Sequence, residues 1–206
     1  NAGAKVTCLS RENPEVEILD FIKCDLSKPE QIKNAFKKIK SLDILVNVAG
    51  TNLCEKIEKI DEQEWDRVLN TNLRSYFLTC KYAVEKMSEQ CYGRIVNVSS
   101  IAGRNKSIVS GVHYTSSKSG IIGLTRQLSY EVSSKNILVN CVCPSQTFTE
   151  MLKNSMSSEE INLLEEKIPV RRIATTKEQA LPILFLCSDA ASYISGACIN
   201  INGGQL

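Results

Sequence analysis

The chain has 206 residues, 43% of them hydrophobic, which suffices for one buried core and fits the usual size of a single domain. Its 25 basic and 23 acidic residues leave a net charge of +2 spread along the sequence, with no basic stripe to neutralise phosphates, so no nucleic-acid partner is expected. No apolar run approaches the roughly 18 residues that span a bilayer, so no membrane partner is expected either.

In chain order, residues 5–9 and 18–24 are short apolar, β-branched runs that read as strands. The stretch 10–18 between them is too short for a crossover helix, which takes about ten to twelve residues with its turns; a shortened crossover or missing residues is expected. Ser27 ahead of Pro29 marks a helix start, and 43–48 reads as the next strand. Asp61 and Glu64 fit a capping box at the head of a long helix that carries Asn70, Thr71 and Asn72. A strand at 94–98, a helix at 113–134 and a strand at 137–142 follow. The charged run 157–167, a helix at 177–186 preceded by Thr176, and a strand at 197–201 complete the series. Strands alternating with helices imply an α/β fold: a doubly wound, Rossmann-type parallel sheet in three layers (αβα). No repeat or linker divides residues 1–206, so one domain is expected, with a ligand crevice after the strands ending near Val48, Val98 and Cys143.

Nine cysteines at irregular spacing, in a chain large enough to do without staples, read as reduced thiols and point to a cytoplasmic location. Cys141 and Cys143 lie two apart on a strand, so both side chains should share one face. With no second pair or histidine nearby, packing is preferred to zinc and no metal site is expected.

The strongest local signal is Tyr114 and Lys118, a phenol and an ammonium four residues apart on one helix face. A free phenol has a pKa of about 10, and an adjacent cation is expected to lower it. Taken alone the spacing is weak, because exposed helices carry such pairs by chance. Its neighbours strengthen it. The strand at 94–98 ends in Ser99 and Ser100, and Ser100 lies fourteen positions before Tyr114. Asn47, Val48, Ala49 and Gly50 close another strand with a small-residue turn that lets a flat ring approach the backbone.

In order, these elements resemble the short-chain dehydrogenase/reductase family: the strand-end N-x-A-G, the helical N-x-N, the S-S strand end, the Y-x-x-x-K helix and the closing Gly203-Gly204 turn. The resemblance covers nearly the whole chain. It implies an oxidoreductase that moves hydride between a nicotinamide and a carbonyl or alcohol, with Asn72, Ser100, Tyr114 and Lys118 as catalytic residues. In reduction Tyr114 would donate a proton while Ser100 steadies the developing oxyanion. Lys118 would tune Tyr114 and hold the nicotinamide ribose, and Asn72 would hold a water leading to Lys118. The resemblance also assigns Asp25 and Leu26 to the adenine, Asn47, Ala49 and Gly50 to its ribose, and Pro144, Thr147 and Thr149 to the carboxamide. Arg11 stands where an acidic residue would bind a free 2′-hydroxyl, and a cation there suits the 2′-phosphate of NADP rather than NAD.

Several positions depart from the family pattern: Val48 stands for an asparagine, Ser145 for a glycine and Asn202 for an aspartate. The family's first strand, glycine-rich turn and first helix have no counterpart in the chain, and about thirty further residues, one strand-turn-helix unit, are expected ahead of Asn1. His113 is expected as a pocket-wall or surface residue and Trp65 as core or interface packing. Within the family, reduction of 3-oxoacyl thioesters is the favoured activity, because this pattern is common among 3-oxoacyl-carrier-protein reductases. A sugar or polyol dehydrogenase is the enzymatic alternative, with Arg104, Lys106 and Gln146 able to meet hydroxyls. A non-catalytic nucleotide sensor is the alternative from another class. By the same resemblance a homodimer or homotetramer is implied.

Overall fold

The computed structural model describes residues 3–14, 16, 19–107, 109–149, 152 and 157–206. Two short parallel strands, β1 (Val6–Ser10) and β2 (Leu19–Lys23), pair from Val6 opposite Leu19 to Ser10 opposite Lys23. The chain continues through α1 (Pro29–Lys38), β3 (Ile44–Asn47), α2 (Glu62–Leu69), a π turn (Asn70–Arg74), α3 (Ser75–Gln90) and β4 (Gly93–Val98). Then come α4 (Val112–Val132), β5 (Ile137–Pro144), β6 (Thr147–Phe148), α5 (Ser158–Glu166), β7 (Ala174–Thr175), α6 (Thr176–Cys187) and β8 (Cys198–Ile201). Strands β3, β4, β5 and β8 form a parallel sheet in that order, and β6 pairs in parallel with β7. Ile18, expected to open the second strand, lies outside the described residues. The β6–β7 ladder was not expected, since two residues per strand carry no periodicity.

Strands β4 and β5 are buried on both faces, which is why their sequences are mostly apolar, with Arg94, Asn97 and Asn140 as buried polar exceptions. Alternation then sorts their side chains. Ile95, Ile137 and Val139 face one layer, packing with Ile32, Ala35 and Phe36 of α1 and Cys80, Ala83 and Met87 of α3. Val96 and Val142 face the opposite layer, against Leu186 and Cys187 of α6. Leu9 and Ile22 pack against the first of these clusters, which ties β1 and β2 to the larger sheet. The three-layer, doubly wound α/β architecture expected from the alternation is the one observed.

Three helix starts differ from expectation in their chemistry. Ser27 does not cap α1: Lys28 holds the cap position with no side-chain bond, and Ser27 turns its hydroxyl onto Asp25 instead. Asp61 caps α2 by accepting from the Glu64 N–H at 2.7 Å, but the Glu64 carboxylate leaves the box for His113. The box at α6 is complete, although it is made by Thr175 and Glu178, one residue before the expected start. None of the described helices is long and apolar enough to cross a membrane.

The turn after β4 is pressed against α4. A Cβ on Gly103 would lie 2.7 Å from the Lys118 backbone and from Ser99 Oγ, atoms with little freedom to move. Gly123, by contrast, is exposed in the interior of α4 with open space around its missing Cβ. Gly103→Ala is therefore expected to destabilise by about 1–3 kcal/mol through overpacking, and Gly123→Ala to stabilise by up to about 1 kcal/mol through helix propensity. Thermal unfolding of the two variants should give shifts of opposite sign.

Candidate active site

The predicted residues meet where β3, β4 and β5 end. Tyr114 and Lys118 are one turn apart in α4, and the Lys118 ammonium lies 5.7 Å from the Tyr114 ring centre. Lys118 is 4% exposed and donates at 3.0 Å to the carbonyl of Val98, the last residue of β4. Burial lowers its pKa from 10.5 to about 8, with the Cys141 and Cys143 thiols acting in the opposite sense. For Tyr114 the expected lowering by the cation is overturned: burial raises the phenol, and only the hydrogen bond from Ser100 pulls it down. Loss of hydration on burial is the dominant effect on the phenol.

The two serines after β4 divide the work. Ser99 is buried and donates to the Lys118 carbonyl at 2.7 Å, fastening α4 to the sheet. Ser100 is half-buried, accepts from the Ala102 N–H at 3.1 Å and hydrogen-bonds the Tyr114 phenol. Of the pair, Ser100 is the hydroxyl that faces the phenol.

Asn72 sits in the π turn, a distortion of the helix that swings its amide toward the end of β3. Its Oδ1 accepts from the Thr51 N–H at 2.8 Å, while Nδ2 donates to the Thr51 carbonyl at 2.9 Å and to Ser117 Oγ at 3.1 Å. These bonds make Asn72 a clip between the loop after β3, the π turn and α4. A Cβ on Gly50 would lie 3.5 Å from both Asn72 Oδ1 and Lys118 Nζ, so the bare glycine keeps a space open beside the ammonium.

The residues expected around the cofactor stand at or after the ends of β1, β2, β3 and β5. Asn47 is buried, donating to Asn97 Oδ1 at 2.9 Å and accepting from Thr79 at 2.8 Å, so its side chain serves the core rather than a ribose. Ala49 and Gly50 follow β3, and Arg11 is exposed after β1. Asp25 accepts from the Ser27 hydroxyl at 2.7 Å and N–H at 2.9 Å, which hold its carboxyl below the usual range. Leu26 packs against the core. Pro144 ends β5, Thr147 donates to the Ser145 carbonyl at 3.2 Å, and Thr149 accepts from the Leu152 N–H at 3.3 Å.

Two contacts were not foreseen. Tyr76, fully buried, donates to the same Val98 carbonyl at 3.2 Å, and its ring centre is also 5.7 Å from Lys118 Nζ. Its spacing of four from Asn72 could have flagged it. His113, expected as a wall or surface residue, is wholly buried; Nε2 meets Glu64 Oε1 at 2.8 Å and Nδ1 accepts from the Tyr114 N–H at 2.8 Å. The pair fastens α2 to the start of α4. Trp65 is 39% exposed, so it is not a core residue.

Comparison with known proteins agrees with this geometry. A family model described as Enoyl-(Acyl carrier protein) reductase matches residues 2–205. A curated relative from Aquifex aeolicus (strain VF5), named 3-oxoacyl-(acyl-carrier-protein) reductase, is 39% identical over 189 residues, covering 89% of this chain and 75% of its own. Among solved structures, the aldohexose dehydrogenase of Thermoplasma acidophilum superposes with a TM-score of 0.91 at 30% identity, covering 98% of this chain and 84% of that one. A short chain dehydrogenase from Leptospira borgpetersenii with bound NAD+ gives 0.90 at 29% identity over 98% and 83% of the two chains. ElxO with NADP bound gives 0.85 at 31% over 92% and 79%. The family match runs nearly end to end and contains the whole Asn72, Ser100, Tyr114 and Lys118 constellation, and the chain belongs to the short-chain dehydrogenase/reductase family, within the group that model describes.

Proposed function

We propose that the protein reduces 3-oxoacyl thioesters with NADPH, using Tyr114 as general acid, Ser100 as oxyanion donor, Lys118 as the cation beside the cofactor ribose and Asn72 as the clip that holds the site together. The observation that carries the reading is the convergence of a phenol, a hydroxyl and a buried ammonium at one sheet edge. When bound, the nicotinamide supplies a hydride. Burial keeps the Tyr114 phenol protonated, which is the form that can give its proton to an alkoxide-like oxygen. The Ser100 hydroxyl, already directed at the phenol, can hydrogen-bond the same oxygen. Lys118 stays charged below about pH 8 and offers a proton source behind the phenol.

The family description names an enoyl reduction and the Aquifex relative's name a 3-oxoacyl one. Two hydroxyls converging on one point suit protonation of an oxygen, as carbonyl reduction requires, whereas an enoyl reduction delivers its proton to carbon. The aldohexose dehydrogenase likeness, together with the buried and unpartnered Gln146 Oε1, favours a sugar as the second reading. NADP is supported by the exposed Arg11 after β1 and by the NADP-bound ElxO, against the NAD+ of the Leptospira structure. Free thiols at all nine cysteines support a cytoplasmic location. Exposed Trp65 and Phe77 on one side and Leu181, Leu184 and Phe185 on α6 support a homodimer or homotetramer.

The purified protein should oxidise NADPH with acetoacetyl thioester. Tyr114→Phe should lower kcat by about 10²–10⁴, the usual worth of a general acid. Indifference to thioesters with turnover of keto-sugars would move the assignment to the second reading.

The rate of reduction should fall as pH rises through about 8. Lys118 has its pKa lowered by burial, so it is a cation below that value and neutral above it. A pH profile of kcat/KM that stays flat up to pH 9.5 would remove the cation from the mechanism. In the cofactor site, Arg11→Ala should raise KM for NADPH at least tenfold and leave NADH unchanged, since only the 2′-phosphate meets the guanidinium.

A further inference from the structure

We propose that Cys198 and Cys141 form a thiol pair that peroxides oxidise to a disulfide joining the edge strand β8 to β5. The argument starts from register. In the parallel β5–β8 ladder Cys141 stands directly opposite Cys198, so their Cα atoms are set at neighbouring-strand spacing, about 5 Å, inside the range that a disulfide spans. Both side chains lie on the α4 face, in one small cluster with Ile122 and Cys143. Cys141 Sγ is 3.9 Å from Cys143 Sγ and also hydrogen-bonds Cys198, so the buried Cys141 bridges its two neighbours.

Position separates the roles. Cys141 and Cys143 are wholly buried, while Cys198 is half-exposed on the last strand and is the member an oxidant can reach. It is also the member beside positive charge: Arg126 hydrogen-bonds it and Arg104 lies near. Partial exposure within an electropositive surrounding is the environment that makes a thiol reactive. The hydrogen bond from Cys141 and the two guanidinium groups favour the Cys198 thiolate, while burial and thiol neighbours keep Cys141 protonated.

The chemistry balances with a hydroperoxide as oxidant. The Cys198 thiolate attacks the peroxide, breaking its O–O bond and forming an S–O bond; the alkoxide or hydroxide that leaves takes up a proton from water. The Cys141 sulfur then attacks the sulfenic sulfur, the S–O bond breaks, and the thiol proton leaves with the oxygen as water. Two electrons pass from the two thiols to the peroxide. Cys143, two residues along the same strand as Cys141, is the poorer partner, because Cα atoms two residues apart on an extended strand are about 6.6 Å or more apart, at the limit of disulfide reach.

The test reads mass and connectivity. The reduced protein is treated with hydrogen peroxide, alkylated with iodoacetamide and digested with trypsin. Cys141 and Cys143 then lie in the peptide 136–153 and Cys198 in 178–206. The expected result is an intact mass lower by about two hydrogens before alkylation, two fewer alkyl groups than the nine of the reduced chain, and a cross-linked peptide pair whose fragments join Cys141 to Cys198. Cys198→Ser should lose the link and Cys143→Ser should keep it. A link between Cys141 and Cys143, persistence of the mass loss in Cys198→Ser, or alkyl groups on both Cys141 and Cys198 at a dose that oxidises the exposed Cys54 and Cys91 would each overturn the proposal. The wild-type peptide map decides on its own should a variant not fold.

Discussion

A protonated lysine cannot sit inside a protein without oxygen around it. Lys118 is almost fully buried, and the oxygen it finds is the carbonyl of Val98, at the point where β4 stops making ladder bonds and its backbone becomes free to accept. The ammonium is therefore placed by the sheet as well as by its own helix. Because β4 is buried on both faces, that carbonyl has almost no room to move, and Tyr76 closes it from the other side with a second donated bond. Tyr114, one turn earlier, and Ser99, which holds the Lys118 carbonyl, inherit this placement.

Behind that point lies a polar network that few apolar cores contain. Asn47 on β3, Asn97 on β4, Thr79 on α3 and Thr125 on α4 are linked by hydrogen bonds of 2.8 to 3.0 Å. Buried amides left half-satisfied would be costly, and here both oxygens and at least one donor of each amide are engaged. The network fixes four elements relative to one another just below the reacting groups. Asn72 and the Glu64–His113 pair do the same above, fastening the loop after β3 and the helix α2 to α4.

Much of this was legible in the sequence, and for physical reasons. The strands at 94–98 and 137–142 announce themselves because burial on both faces favours apolar, β-branched residues at most positions, broken only by Arg94, Asn97 and Asn140. Tyr114 and Lys118 are legible because an i,i+4 pair must share a helix face. What could not be read depends on which of several partners a side chain chooses in three dimensions. Glu64 looked like half of a capping box and instead bonds a histidine 49 residues away. Asn47 was assigned to the adenine ribose by the family resemblance, but its amide turns inward to Asn97 and Thr79. The sign of the Tyr114 shift was misread since a nearby cation is visible in the sequence, whereas the depth at which the phenol is buried is not.

The π turn at Asn70–Arg74 has a consequence for how this chain can change in length. Helix α2, the turn and α3 run as one rod from Glu62 to Gln90, but the turn holds one residue more than an α-helix would, so the faces of the rod are out of phase by about 100° on either side of it. Removing one residue there would yield a smoother helix with better hydrogen bonds. It would also rotate everything on one side, carrying Asn72 off Thr51 or Cys80, Ala83 and Met87 out of the core. Within this rod a single deletion is harder to tolerate than most substitutions, and the irregularity persists because both of its flanks are already spoken for.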